Sequence, residues 1–298
     1  MKRLDRYSFS ALLAVCMLLM PVFSAYIGAK TVTVTLFHVN DVHANIDHFA
    51  RIAHVVNTAR KRNPDTYLLN MGDNFSGNPI VDQAEPRGEP LRIIFNKLGF
   101  DLMVLGNHDF DYGRELLKRC LRKSTFKTIL ANVEDPDKLL PLVSATAEIK
   151  TKSGVSIGFF GLVQIEPDTG IPSTHPKNVR GLRFSNEFET AAAFSHLKKK
   201  HDAVILMSHM GIEKDIQVAE KNGWIDLIIG GHSHTIVTEP KPTNGVLITQ
   251  AGDTGRYLGR IDLVFEKNRL IKRSGKLIDI SKVRREDPEV RRLIDHYN

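Results

Sequence analysis

The sequence predicts a four-layer αββα sandwich, two mixed sheets with helices outside them. Three observations carry that fold class. Strand-length apolar runs alternate with helical periodicity through the first half of the 298 residues. The second half has more strand–strand neighbours, so the sheets are mixed. Polar residues gather just past the C-terminal ends of the apolar runs, where α/β sheets form their ligand crevice.

Taken in order, Thr31 to Val39 alternates and is β-branched, which reads as a strand. Phe49, Ile52, Ala53 and Val56 recur at helical spacing. Thr66 to Met71 is a second strand, followed by a Gly- and Pro-rich loop from Asn74 to Pro90. Leu91 to Leu98 is a short helix, and Asp101 to Leu105 a third strand. A helix begins near Gly113 with Leu116, Leu117, Cys120 and Leu121 on its pattern. Lys127 to Ala131 is a strand. Ala145 to Lys150 and Val155 to Val163 form a hairpin across Ser153-Gly154. A loop from Gln164 to Arg183 holds three prolines, a length that is usually functional or disordered. Asn186 to Lys200 is helical, Ala203 to Met207 a buried strand, Asp215 to Lys221 a helix and Asp226 to Ile229 a strand. Val246 to Gln250, Arg260 to Glu266 and Leu270 to Ile280 are consecutive strands. No internal repeat or low-complexity tract interrupts the chain.

The N-terminus stands apart. Met1 to Arg6 is basic, and Phe9 to Phe23 is apolar and broken by Pro21. Val22 and Ser24 occupy the −3 and −1 positions of a cleavage site, with a second offered by Ile27 and Ala29. Residues 1–24 therefore read as a secretory signal whose apolar stretch is short for a membrane span; the mature protein is expected in the periplasm or secreted, without a stable span, and an uncleaved membrane anchor is the lesser reading. Val15 before Cys16 is too bulky for lipoprotein processing. Cys120 is then the single remaining thiol, so no intrachain disulfide forms; it reads as a small core residue. The net charge is +7, but no basic face with interleaved aromatics appears, and Lys198-Lys199-Lys200 sits at a helix end where cations complement the dipole. A nucleic-acid polymer is not an expected partner.

The chemistry concentrates in five turns. Asp41 and His43, Asp73, Asn107 with His108 and Asp111, His209, and His232 with His234 each follow an apolar strand. A surface turn needs Gly, Asn or Asp for its backbone; it does not need the His that stands at 108. Carboxylate, imidazole and amide oxygen suit Zn, Mn, Fe or Co, and the lack of thiolates excludes zinc-finger and iron–sulfur sites. With His108 and Asp111 set aside, the seven remaining donors exceed one tetrahedral ion. Two ions sharing a carboxylate use them all, and two metals roughly 3.5–4 Å apart clamp an in-line displacement at phosphorus.

Asn40-Asp41-x-His43, Gly72-Asp73-Asn74, Gly106-Asn107-His108-Asp109-Phe110-Asp111, Ser208-His209 and Gly231-His232-Ser233-His234 resemble the motifs of the calcineurin-like metallophosphoesterases. Within them the chain is similar to the catalytic domain of the bacterial periplasmic 5′-nucleotidase group, which Gln250-Ala251-Gly252 and Tyr257-Leu258-Gly259-Arg260 also match. The resemblance covers residues 31–298. It implies that Asp41, His43, Asp73 and His234 hold one divalent metal ion, and that Asp73, Asn107, His209 and His232 hold the other, with Asp73 bridging. It implies that His108 and Asp111 are a catalytic pair, and that metal-activated hydroxide hydrolyses phosphomonoesters, 5′-nucleotides first among them. Asp109 is read as structuring the turn, His38 as structural within its strand, and His48, His54, His196 and His201 as surface or core residues.

Two other readings share these residues: a 2′,3′-cyclic-nucleotide phosphodiesterase or 3′-nucleotidase, and a non-catalytic periplasmic metal-binding protein. The His108–Asp111 pair argues against the last, since a metal store needs no such pair. The catalytic domain is expected over residues 30–285 and a linker-like helix over 286–298, where Asp287 caps and Val290, Leu293, Ile294 and Tyr297 form one face. The substrate domain of two-domain relatives is expected to be separate or missing. Phe75, Phe110 and Tyr112 are candidate stacking surfaces for a base, and Arg180 a candidate for a phosphate.

Overall fold

Alternating Thr and apolar side chains build β1 (Thr31–Val39), the strand against which the first sheet forms. The computed structural model describes residues 31–240 and 242–297; the secretory signal expected at residues 1–24 lies outside the described residues. From β1 the chain passes through α1 (Phe49–Arg62), β2 (Thr66–Asn70), α2 (Pro79–Asp82), α3 (Glu89–Leu98), β3 (Leu102–Val104), α4 (Arg114–Arg122) and β4 (Lys127–Ile129). Short β5 (Val133–Glu134) and β6 (Val143–Ser144) precede the hairpin of β7 (Thr146–Lys150) and β8 (Ser156–Val163). Next come β9 (Arg183–Phe184), α5 (Glu187–Ala193), β10 (Ala203–His209), α6 (Ile212–Lys221), β11 (Leu227–Ile229) and β12 (Pro242–Thr243). The chain closes with β13 (Val246–Thr249), β14 (Tyr257–Glu266), β15 (Arg269–Asp279) and α7 (Pro288–Tyr297).

One sheet has the order β15-β14-β1-β2-β3-β4-β6, the other β12-β13-β11-β10-β8-β7, and β5 pairs with β9 apart from both. Each large sheet has a parallel centre, β1 to β4 in one and β8, β10, β11 and β13 in the other. In the first sheet β6 continues the parallel run beyond β4, and antiparallel β14 and β15 lie beyond β1; in the second, antiparallel β12 and β7 flank the centre on both sides. β10 shows how the layers stack. Ile205 and Met207 join the core shared with the first sheet, while Val204 and Leu206 join a second core with Val218 and Ala219 of α6. A strand buried on both faces has no polar face to show, so Ala203 to Met207 is an unbroken apolar run.

Two expectations about helices change. The loop from Asn74 to Pro90 contains α2, started by the Asn78 side chain accepting from the Ile80 N–H, with Pro79 in its first turn. The helix expected to Lys200 leaves α geometry at Ala193 and continues as a 3-10 turn, Phe194–Lys199. The tighter turn accompanies a stack of Phe194 on Phe160, with ring centroids 5.4 Å apart. Among the described residues, no helix is long and apolar enough to cross a membrane.

α7 lies against α1 and α3. Asp287 caps it by accepting from the Glu289 and Val290 N–H groups, and takes a further bond from Asn57 of α1. Val290 and Ile294 are buried, and Glu286 pairs with Arg51 at 3.2 Å.

Candidate metal centre

The parallel strands of both sheets end at the same edge, and every residue singled out there in the sequence follows one of those ends. Asp41 and His43 come off β1, Asp73 off β2, and Asn107, His108 and Asp111 off β3. From the second sheet, His209 closes β10 and His232 and His234 follow β11. The first two turns are tied together: Asp41 N–H donates to the Gly72 carbonyl and His43 N–H to that of Asp73, both at 3.0 Å.

The backbone is bent for this purpose. Asp41, His43, Asp73, His232 and His234 all have positive φ, between 45° and 77°. L-residues with a Cβ rarely adopt that region, and it costs on the order of 1–2 kcal/mol each. Gly106 allows the close approach of donor groups from the two sheets. A Cβ there would strike the Asp73 carboxylate and come within 2.7 Å of His209 Nε2.

Two groups of donor atoms result. Asp41, His43 and His234 form one, and Asp73, His209 and His232 the other, with the ligand atoms of each group within 4.8 Å of one another. Asn107 joins the second: its Oδ1 lies 3.0 Å from His232 Nδ1, and its amide N–H donates to the Ser173 carbonyl. That bond turns the oxygen toward the histidines.

These residues fit divalent ions. His209 is fully buried; its Nδ1 bonds the Met71 carbonyl at 2.6 Å. Its Nε2 lies 3.1 Å from an Asp73 oxygen and 3.8 Å from an Asp41 oxygen, yet makes no aligned hydrogen bond among the described residues. Burial would lower its pKa, but Asp73 and Asp41 outweigh burial and push it up to about 10. Burial likewise opposes the Asp73 charge, and His209 and His108 overcome it, holding that carboxyl well below the usual range. The pocket thus demands positive charge between its carboxylates. His43 Nε2 and His234 Nε2 face each other at 3.1 Å, an arrangement suited to two lone pairs on one cation.

A further set of polar groups holds these candidate ligands. Asp109, buried, accepts from the N–H groups of Gly106, Asp73 and Asn74 at 2.8 to 3.1 Å, which bears out its reading as the residue that structures the turn. Burial, then the nearby Asp73 charge, push its pKa up to about 6. Asp253 Oδ2 lies 3.4 Å from His234 Nδ1. Asn40 donates to Asp41 and accepts from the Ala251 N–H, while Gln250 bridges the Gly231 carbonyl and the Ser233 hydroxyl. Sequence reasoning did not find Asp253; its signal was its place just past Gln250-Ala251-Gly252.

His108 stands at the rim, 5.3 Å from the His43 ring centroid. Its Nδ1 bonds Asp111 Oδ2 at 2.7 Å. That bond, more than the opposing burial, holds the imidazole above its ordinary pKa, with Asp73 adding to it. Nε2 is the nitrogen left for a reacting group. Phe75 and Phe110 do not serve as stacking surfaces: both are buried, the first against Gly88 and Tyr112, the second against Phe184. Tyr112 turns its hydroxyl to Asp82. Arg180 is exposed. Burial raises the Cys120 thiol to about 11, so it is inert core.

Comparison with known proteins matches residues 34–235 to the calcineurin-like phosphoesterase family. The chain is 29% identical to the trifunctional nucleotide phosphoesterase protein YfkN of Bacillus subtilis (strain 168), over 88% of this chain and 20% of that one. It is 28% identical to a 5′-nucleotidase of Diplobatis ommata, over 85% of this chain and 50% of that one. Among solved structures, a 5′-nucleotidase precursor from Thermus thermophilus superposes with a TM-score of 0.76 at 26% identity, covering 89% of this chain and 58% of that one. The chain spans half or less of the length of these two curated relatives.

Proposed function

This chain belongs to the calcineurin-like phosphoesterase family, and on that footing we propose that it is an exported phosphomonoesterase acting on 5′-nucleotides with two divalent metal ions. The observation that carries the reading is the pairing of two adjoining donor clusters with the His108–Asp111 pair at their rim. Asp41, His43, Asp73 and His234 would hold one ion, and Asp73, Asn107, His209 and His232 the other. Bound there, divalent ions supply Lewis acidity to a phosphoryl oxygen and acidify water.

The chain's own residues do the rest. Asp111 fixes the His108 tautomer by accepting from Nδ1, and favours the protonated ring. Nε2 then donates to a phosphoryl oxygen as charge develops, or passes its proton to the leaving alkoxide. The names of the relatives support nucleotides as substrates. One of them is named a nucleotide phosphoesterase rather than a 5′-nucleotidase, which favours a second reading, in which 2′,3′-cyclic or 3′-nucleotides are cleaved at this centre.

The test is phosphate release from a panel of 5′-, 3′- and cyclic nucleotides and sugar phosphates, with Mn, Zn, Co and Fe in turn. His108→Ala is expected to keep two metal ions per chain and lose about 10²- to 10⁴-fold in kcat. Wild-type turnover in that variant refutes the role given to His108. A wild-type protein that binds metal and cleaves nothing in the panel refutes the enzymatic reading.

A further inference from the structure

The loop after β8 reaches across to the catalytic pair, and neither the motifs nor the family match assigns it a part. Thr174 donates its hydroxyl to Asp111 Oδ1 at 3.1 Å. On the other carboxylate oxygen, Ser76 donates to Asp111 Oδ2 at 2.6 Å, beside the 2.7 Å bond from His108. Asp111 therefore has both oxygens engaged by three different segments of chain.

The direction of the Thr174 bond is fixed. A buried Asn178 amide lies 3.2 Å from Thr174 Oγ1, and an amide N–H only donates. The Thr174 oxygen accepts from Asn178, which leaves its hydrogen for Asp111. The same amide is within 3.4 Å of the Asp111 carbonyl. One residue earlier, the Ser173 carbonyl holds the Asn107 amide. The Ser173–Asn178 segment thus touches the catalytic pair through Asp111 and the donor set through Asn107.

We propose that Thr174 and Ser76 are positioning residues of this centre, fixing the plane of the Asp111 carboxylate so that Oδ2 meets His108 Nδ1. The inference rests on the reading above that His108 and Asp111 act on substrate. A carboxylate held at one oxygen rotates about its Cβ–Cγ bond; held at both, it presents a single edge to the imidazole. Misplacing a catalytic group by about 1 Å costs about a hundredfold in rate.

The experiment compares Thr174→Val, Thr174→Ser and the wild type, each loaded with zinc. For the valine variant, kcat is expected to fall about tenfold to a hundredfold with KM within about twofold and the metal content unchanged. Thr174→Ser keeps a hydroxyl and returns kcat to within about threefold of wild type, which simple filling of space would not require. A second readout needs no turnover: the downfield proton NMR resonance of His108 Nδ1–H, assigned by its loss in His108→Ala. It is expected to shift and exchange faster with water in Thr174→Val. An unchanged resonance overturns the inference whatever the activity does, and so does a serine variant as slow as the valine one. If the wild type cleaves no phosphoester, the proposed function fails and the resonance alone decides the role of Thr174. Should Thr174→Val not fold, Ser76→Ala on the other oxygen carries the same measurements, with the same results supporting or overturning the inference.

Discussion

His38 shows how much one side chain fixes about the behaviour of the chain. Both its ring nitrogens are buried without a hydrogen-bond partner among the described residues, and its ring occupies the space a Cβ at Gly259 would need. Burial pushes its pKa down to about 3. The unfolded chain takes a proton near 6.5 and the native chain does not. Stability is therefore fully present above about pH 6.5 and declines as the pH falls toward about 3, by up to about 1.4 kcal/mol per unit. Urea midpoints measured between about pH 7 and 4.5 are expected to fall more steeply for the wild type than for His38→Leu, and equal slopes would refute this role for His38. At this same scale, the residues of the centre were legible because imidazoles and carboxylates behind strand ends have little else to do. Ser76, Thr174, Asn178 and Asp253 were not. Small polar residues in loops carry no periodic signal, and Asp111 lies 35 residues from Ser76, 63 from Thr174 and 67 from Asn178.

Strands and helices with strong periodicity stand where the sequence placed them. β1, α1, β8 and β10 owe their positions to runs whose apolar faces had to be buried. The two-residue strands β5, β6, β9 and β12 were invisible, since a pair of residues has no period and pairs only because its neighbour is already in place. The break after α5 accompanies an aromatic stack, a tertiary contact that no local pattern announces. α7 was legible through its cap and its face, and its burial against α1 and α3 gives it weight. Ile294→Ala is expected to destabilise the protein by about 2–5 kcal/mol, read as a shift of the urea midpoint. A change below about 0.5 kcal/mol would mean that α7 contributes little to the folded state.

For the whole molecule, the centre is the place where the two sheets meet chemically. Asp41, Asp73 and Asn107 come from one sheet, and His209, His232 and His234 from the other. Their contacts already cross the interface: the His232 N–H donates to both Asp41 oxygens at 3.1 and 2.9 Å. Under the proposed ligand assignment, metal binding ties the sheets together and draws on the strain at the positive-φ positions. Zinc or manganese at about 100 times Kd is expected to stabilise the fold by about 2.7 kcal/mol per site, seen as a rise in Tm that a chelator reverses. A Tm indifferent to metal and chelator would refute the assignment. The layered architecture itself was legible from the order of elements. The second sheet's strand order was not, because β12 and β13 return to it after the turn that carries His232 and His234.

The division of the donors between sheets also sets a clock. Asp41, His43, Asp73 and Asn107 are all made by residue 107, but the three remaining histidines arrive only at 209, 232 and 234. A nascent or truncated chain owns oxygen donors and a single imidazole, a set that holds first-row ions weakly. Under the proposed assignment, tight metal uptake therefore waits until β10 and the turn after β11 have been made and seated.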